Sequence, residues 1–281
     1  MGRLALIDGD VIRYQIGFAT QNKSYLVHGR PFVTLIEAHE YAESEGIPHE
    51  EVKTITRGDF VQAVRHTVDK FIHNVMTAAK CDDYKIFLTG DNNYRIKLAT
   101  IRPYKGQRNS DKPIHYYNIS KHLLSQHAAI MIEDAEADDA LGYNQDEDTC
   151  ICTIDKDLNC IKGWHYDWNK GKLYHVTQQE ADKFFYTQLL TGDAVDNIEG
   201  CPSIGAKRAE TILKGAETVI EMYRRCQISY IDVHRKVAEK FKLSCELNEE
   251  ALFDSAMRDM TENAHLLWIQ REEGVLWTPP T

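Results

Sequence analysis

The chain has 281 residues, 43% hydrophobic and 27% charged, a composition that excludes a disordered or fibrous protein and leaves ample material for a buried core. No stretch approaches the ~20 apolar residues of a membrane helix, and the opening MGRLALIDGDVIRY has no secretory pattern, so a cytoplasmic location is expected. The net charge of −10 argues at first against nucleic acid as a partner.

Taken in order, LALID (4–8) is a short apolar run that reads as a buried strand with Asp8 at its C-terminal end. Residues 20–57 say less: SYLVHGRPFVTL suggests a hairpin around His28-Gly29, and EAHEYAESEGIPHEE an exposed helix and loop. In 59–79, apolar residues at 60, 61, 64, 68, 71, 72, 75 and 76 mark one face of a helix. KIFLTGD (85–91) repeats the strand plan and ends at Asp91.

A basic segment follows. Between Asn92 and Ile132, Arg95, Lys97, Arg102, Lys105, Arg108, Lys112 and Lys121 stand against one acid, Asp111. The cations are interleaved with Tyr104, Tyr116 and Tyr117, as single-strand binding requires: charge for phosphates, rings for bases. A solvated surface face is the plainer reading. AAIMIED (128–134) is a third strand, followed by Glu136, Asp138 and Asp139, and TCICTIDKD (149–157) a fourth, ending at Asp155 and Asp157. Residues 164–177 read as a hairpin turning at Asn169-Lys170-Gly171. From about 178 the chain looks helical, which places a boundary near 185, with an α/β core over 1–185 and a helical region over 186–281.

Strands alternating with helices imply a mostly parallel sheet flanked by helices, and such sheets bind ligands at the C-terminal ends of their strands. An acid after a strand is ordinarily a turn or cap residue. The set carries the inference: Asp8, Asp91, Glu136, Asp138, Asp139, Asp155, Asp157, Asp193 and Asp196 converge on one rim if the strands are adjacent. Bare carboxylates at that density repel one another strongly. Hard dications, Mg²⁺ or Mn²⁺ or Ca²⁺, resolve the repulsion. So many acids suggest two metals, about 3.5–4 Å apart in such sites, acting on a phosphodiester.

LLTGDAVDNIEGCPSIGAKRAETIL (189–213) fits that picture. Asp193 and Asp196 are expected one turn upstream on a helix face, reaching the metals. Ile198 to Ala209 reads as a turn between two helices in which Gly200 and Gly205 admit a ligand close to the backbone. Amides around Ser203–Ala206, with Lys207 and Arg208, then form an anion site at a helix N-terminus. A structural turn is again the plainer alternative.

These stretches together resemble the phage and bacterial 5′ nucleases, comprising flap endonucleases, 5′–3′ exonucleases and the 5′-nuclease domain of DNA polymerase I. The matching segments are LIDGD, TGD with Arg95, YKGQR (104–108), EADD (136–139), TIDKDL (153–158) and GDAVDNIEGCPSIGAKRA (192–209). They cover residues 4 to about 213, and ENAHLLWIQREEGVLW near the end is similar to exonucleases of podovirus-type phages. The resemblance implies a PIN-like α/β fold followed by a helix–hairpin–helix. It implies two Mg²⁺, replaceable by Mn²⁺, the first held by Asp8, Asp91, Glu136, Asp138 and Asp139 and the second by Asp155, Asp157, Asp193 and Asp196. It assigns Lys105 and Arg108 to the scissile phosphate, with Arg95 assisting and Tyr104 stacking on a terminal base. Arg102, Lys112 and the hairpin residues Gly200, Ser203, Gly205, Lys207 and Arg208 would hold DNA, with K⁺ at the hairpin. The implied activity is 5′–3′ exonuclease or structure-specific 5′ nuclease action releasing 5′-phosphate products in replication, recombination or primer removal. The substrate would be DNA, or RNA in RNA–DNA hybrids, with a polymerase or single-strand-binding protein acting in trans.

Departures are visible: Ser203 where the hairpin usually has glycine, Glu199 where proline is common, an extra acid at Asp10, and a short span from Lys105 to Ala128 for a helical arch. A PIN-like ribonuclease would share the sheet but carry about four acids and no hairpin, and a non-catalytic DNA-binding protein would not keep all nine. The seven cysteines are odd in number and lack CxxC spacing. They read as reduced, mostly buried thiols, and a zinc site built from them and nearby histidines is disfavoured.

Overall fold

The computed structural model describes residues 2–107, 111–240 and 249–281. Arg108 and Cys245 lie outside the described residues. The central sheet contains strands β1 (Arg3–Asp8), β5 (Cys81–Thr89), β6 (Ile130–Ile132), β7 (Thr149–Cys152), β8 (Gly163–Asp167) and β9 (Lys172–Val176). Their order is β6-β5-β1-β7-β8-β9. All neighbours are parallel except β8 and β9, whose antiparallel pairing is the predicted hairpin around Asn169-Lys170-Gly171. The chain leaves β1 for β5 on one side and returns to β7 on the other. The crevice beside the C-terminal end of β1 is therefore where a ligand site belongs in an open α/β sheet.

Helix α1 (Gly9–Ala19) starts directly from β1. This is possible because position 9 is glycine: a Cβ there would lie 2.6 Å from Leu88 Cδ2 and 2.7 Å from the Phe87 carbonyl oxygen. Next comes a small antiparallel sheet of β2 (Gln21–Val27), β3 (Arg30–Phe32) and β4 (Lys53–Gly58), with α2 (Leu35–Ser44) packed on it. Its first two strands are the expected hairpin at His28-Gly29, whereas β4 has no apolar alternation to announce it.

Helix α3 (Val61–Ala79) buries Val64, Val68, Ile72 and Val75. Phe60, counted in the apolar face from sequence, instead precedes the helix and is exposed. Helices α4 (Tyr94–Leu98), α5 (Tyr116–Gln126) and α6 (Ala137–Tyr143) follow. One face of the sheet packs against α1, α3 and α5 through Ile7, Ile12, Val68, Ile86 and Leu123. The other packs against the C-terminal helices α7 (Gln178–Thr191), α8 (Ala206–Leu213), α9 (Val219–Lys240) and α10 (Glu249–Leu267). That core joins Leu6, Phe87 and Ile151 of the sheet to Leu189, Tyr230 and Met260, and the position near 185 falls inside α7. The six described cysteines are buried and unpaired. No helix among the described residues is long and apolar enough to cross a membrane.

Candidate active site

A cleft of about 510 Å³ opens at the C-terminal ends of β1, β5 and β7. Asp8, Asp10, Glu136, Asp138, Asp155, Asp157, Asp193 and Asp196 line it, together with Lys105 and Lys156. Seven of the nine acids expected from the sequence meet there. Asp8 is fixed as the N-cap of α1: its Oδ1 accepts from the Asp10 and Val11 amides at 3.0 and 3.1 Å, and its Oδ2 from the Thr153 hydroxyl at 2.8 Å. Asp155 accepts the Asp157 amide at 2.8 Å, and Gln188 on α7 donates to Asp157 Oδ1 at 2.8 Å.

Two expected ligands are elsewhere. Asp91 lies beyond the end of β5, exposed and outside the cleft. Asp10, on the first turn of α1, reaches the cleft instead and accepts from the Thr89 amide at 3.0 Å and from Arg13. Asp139 is fully buried and does not line the cleft. Its carboxylate takes both terminal nitrogens of Arg95 at 2.7 and 2.8 Å and the amides of Glu136 and Gln270 at 3.1 Å. Arg95 also donates to the carbonyls of Leu266 at 3.0 Å and Trp268 at 2.6 Å. This buried pair ties α4 and α6 to the C-terminal tail and occupies both side chains, with the Arg95 guanidinium also 3.6 Å from Glu136 Oε2. Trp268 and Gln270, within the ENAHLLWIQREEGVLW stretch, supply part of that lock.

Tyr104 is likewise not a stacking platform. Its ring is buried, and its hydroxyl lies 2.9 Å from Glu136 Oε2 and 3.0 Å from Asp196 Oδ2. One hydroxyl proton thus serves two carboxylates. Lys105 is at the cleft rim, with its ammonium against Glu136 and 3.8 Å from Asp196 Oδ2. Its backbone adopts a left-handed conformation (φ 55°) and its amide donates to the Asp196 carbonyl at 2.9 Å. The 101–107 loop is thereby docked on the Asp193–Asp196 turn. Arg102 bridges exposed to Glu199 at 2.6 Å, and Lys112 lies over the rings of Tyr116 and Tyr117. Among the described residues no helix lies between Leu98 and Tyr116.

Asp193 and Asp196 sit on a tight turn, not on a helix face. The turn is closed by reciprocal hydrogen bonds between Asp193 and Ile198 at 2.9 and 2.8 Å. Two glycines with positive φ make it possible. A Cβ on Gly192 would lie 2.3 Å from the Ile198 carbonyl oxygen, and one on Gly200 would lie 2.2 Å from the Gly192 nitrogen. The role of Gly192 is foreshadowed in the sequence only by its place beside Asp193. Farther on, Ser203 adopts the left-handed region (φ 64°). Gly205 caps α8, with no atom within 4 Å of where a Cβ would project, and Lys207 and Arg208 are exposed beside it.

The electrostatics of the cleft are those of a cation site. Burial, followed by Asp10 and Asp155, pushes Asp8 up to about 7. Burial, followed by Asp155 and Asp193, pushes Asp157 to about 7. Asp138 is driven well above its ordinary value by burial and then by Asp8, Asp155 and Glu136. Burial acts on Glu136 in the same direction, but Lys105 and Arg95 outweigh it and hold that carboxyl below the ordinary value. The acids therefore fit hard dications, whose charge would remove the repulsion. No three of the cleft's acids bring ligand atoms within 4.8 Å of one another; a dication that keeps several waters can span such spacing through them.

No sequence-family profile matches the chain, and no curated protein matches it. Its fold does match solved structures. A point mutant of T5 5′-exonuclease aligns over 96% of this chain and 89% of its own, with a TM-score of 0.52 and 14% identity. T5 5′-exonuclease with divalent metal ions (zinc) bound aligns over 92% and 88%, with a TM-score of 0.51 and 15% identity. The chain has the mixed α/β fold of these phage 5′ nucleases.

Proposed function

We propose that the chain is a divalent-metal-dependent 5′ nuclease that hydrolyses DNA phosphodiesters and releases 5′-phosphate products. The observation that carries the proposal is the rim of eight carboxylates with Lys105 beside it, at the strand ends of a sheet shared with T5 5′-exonuclease. Asp8, Glu136, Asp138, Asp155, Asp157, Asp193 and Asp196 would hold the ions, taken as two Mg²⁺ with Mn²⁺ as substitute. Bound there, such ions supply an activated water and stabilise the leaving oxygen.

The chain's own groups do the rest. Lys105 neutralises Glu136 and Asp196 while the cleft is free of cations, and turns to a phosphate oxygen when substrate enters, where its charge stabilises the transition state. Tyr104 keeps Glu136 and Asp196 in register through its hydroxyl. Thr153 and Gln188 orient Asp8 and Asp157. Gly205, Lys207 and Arg208 grip the duplex backbone some distance from the break, through amides at the start of α8 and two exposed cations. K⁺ at that hairpin, and the roles of Arg102 and Lys112 as further phosphate contacts, belong to the same proposal.

The test is cleavage of 3′-labelled blunt duplex, nicked duplex, 5′ flap and RNA–DNA hybrid with Mg²⁺ or EDTA. Mg²⁺-dependent release of short 5′-phosphorylated products from DNA 5′ ends is expected. Cleavage of the hybrid's RNA alone would move the proposal to a ribonuclease, and cleavage of no substrate with Mg²⁺ or Mn²⁺ would overturn it.

A further inference from the structure

On the sheet face covered by α1, α3 and α5, α3 and the end of α5 bring together Asp69, His122 and His127. The Asp69 Oδ1 atom is 2.6 Å from His122 Nε2 and 2.8 Å from His127 Nε2. These three ligand atoms all lie within 4.8 Å of one another, and they are the one such group among the described residues. The imidazoles are nearly buried, whereas the Asp69 side chain is about half exposed.

We infer that Asp69, His122 and His127 form a binding site for a borderline transition-metal dication of the Zn²⁺ class, separate from the hard-cation cleft. Two imidazoles and one carboxylate are the donor set that such ions select over Mg²⁺. Three protein ligands leave a fourth position, and the exposed side of Asp69 gives it to water. A tetrahedral ion at ~2.0 Å from each donor separates donor atoms by roughly 3.3 Å. The observed 2.6 and 2.8 Å require Asp69 to part from each ring by only a fraction of an ångström, and the two ring nitrogens lie within 4.8 Å of each other.

The outer shell is also in place. His127 Nδ1 meets the Tyr84 hydroxyl at 2.8 Å, which fixes the ring with Nε2 toward Asp69, as supporting hydrogen bonds do in metal sites. In the Nε2-protonated tautomer, each Nε2–H donates to Asp69 and the Tyr84 hydroxyl donates to His127 Nδ1. With metal, both Nε2 atoms give up that proton to become ligands, and each neutral ring carries its proton on Nδ1, where His127 donates to Tyr84. Proton count is unchanged. Tyr84 stands five residues before Thr89 on β5, and Thr89 lines the cleft. The two sites are therefore roughly 16 Å apart along the strand, too far to share an ion.

The chelator-stripped full chain is titrated with Zn²⁺ by calorimetry in excess Mg²⁺, which occupies the carboxylates. One equivalent of Zn²⁺ is expected, lost in His122→Gln/His127→Gln and retained in Asp138→Asn. Histidine ring nitrogen spectra of the unmutated chain give a second readout independent of any variant's folding. Zn²⁺ should shift Nε2 of His122 and His127 and leave buried His165 unmoved. No Zn²⁺ bound in excess Mg²⁺, full binding by a folded double variant, or ring spectra without those shifts would each overturn the inference. The result is independent of nuclease activity.

Discussion

Asp8→Asn should stabilise the metal-free protein and destroy its response to metal. The substitution is nearly isosteric. The retained Oδ1 can still accept the Asp10 and Val11 amides, and the new amide can donate to Thr153 in place of accepting from it. What is lost is a charge that the fold opposes, because burial and then Asp10 raise this carboxyl from 3.8 to about 7. At about 1.4 kcal/mol per pH unit, the ionised form costs the metal-free fold up to ~4 kcal/mol. Part of that repulsion is shared with Asp10 and Asp155, so a net gain of about 2–3 kcal/mol is expected, or roughly 4–10 °C in Tm for a chain of this size.

The sign follows from linkage. A carboxyl whose folded pKa is raised binds its proton more tightly when folded. Its penalty is therefore full above pH 7 and fades as pH falls toward 4. Melting curves in EDTA at pH 8 and pH 4.5 test this. The variant should melt higher at pH 8, with the gap mostly closed at pH 4.5, and excess Mg²⁺ should raise the Tm of the parent more than that of the variant. A variant that melts lower in EDTA at pH 8, or a gap that widens with acid, would refute the electrostatic account.

Other residues give sharp expectations. Asp155→Asn should remove cleavage by two or more orders of magnitude with an unchanged circular dichroism spectrum, as a single-turnover assay would show. Arg95→Met leaves Asp139 buried without its partner and should cost about 3–5 kcal/mol in urea denaturation; an unchanged midpoint would contradict the lock between α4, α6 and the tail. Gly200→Ala places a Cβ against the Gly192 backbone and should lower Tm and activity together. Ser203→Gly relieves a left-handed residue and should stabilise by about 1 kcal/mol. Lys105→Ala should slow the chemical step more than it weakens DNA binding, whereas equal losses would make Lys105 a plain phosphate contact.

Short apolar runs ending in acids were enough to read the strand ends, because a buried parallel strand must be apolar and its C-terminal end faces the ligand. Which acid turns inward was not legible. After β5 the chain places Thr89 in the cleft and leaves Asp91 outside, while Asp10 enters from the next helix. In EADD, Glu136 and Asp138 face the cavity, but Asp139 answers Arg95, a partner 44 residues away that local pattern cannot reveal. Asp193 and Asp196 were legible as acids near a turn. They sit on a turn rather than the expected helix because the contact between Gly192 and Gly200 is a tertiary fact. Tyr104 looked like an exposed ring in a basic run; its burial depends on two carboxylates contributed by later segments. The Asp69–His122–His127 group is not legible in the sequence, because Asp69 is far from the two histidines and the set has no motif spacing.

The central claim is that the carboxylate rim cleaves DNA from 5′ ends with divalent metal. The direct measurement is single-turnover cleavage of a 3′-labelled nicked duplex, started by adding Mg²⁺ to the preformed complex, for the parent chain and Asp155→Asn. The account predicts Mg²⁺-triggered products bearing 5′ phosphates from the parent and none from the variant, with both binding the duplex. Equal cleavage by both proteins, or none by the parent while duplex binding persists, would contradict it.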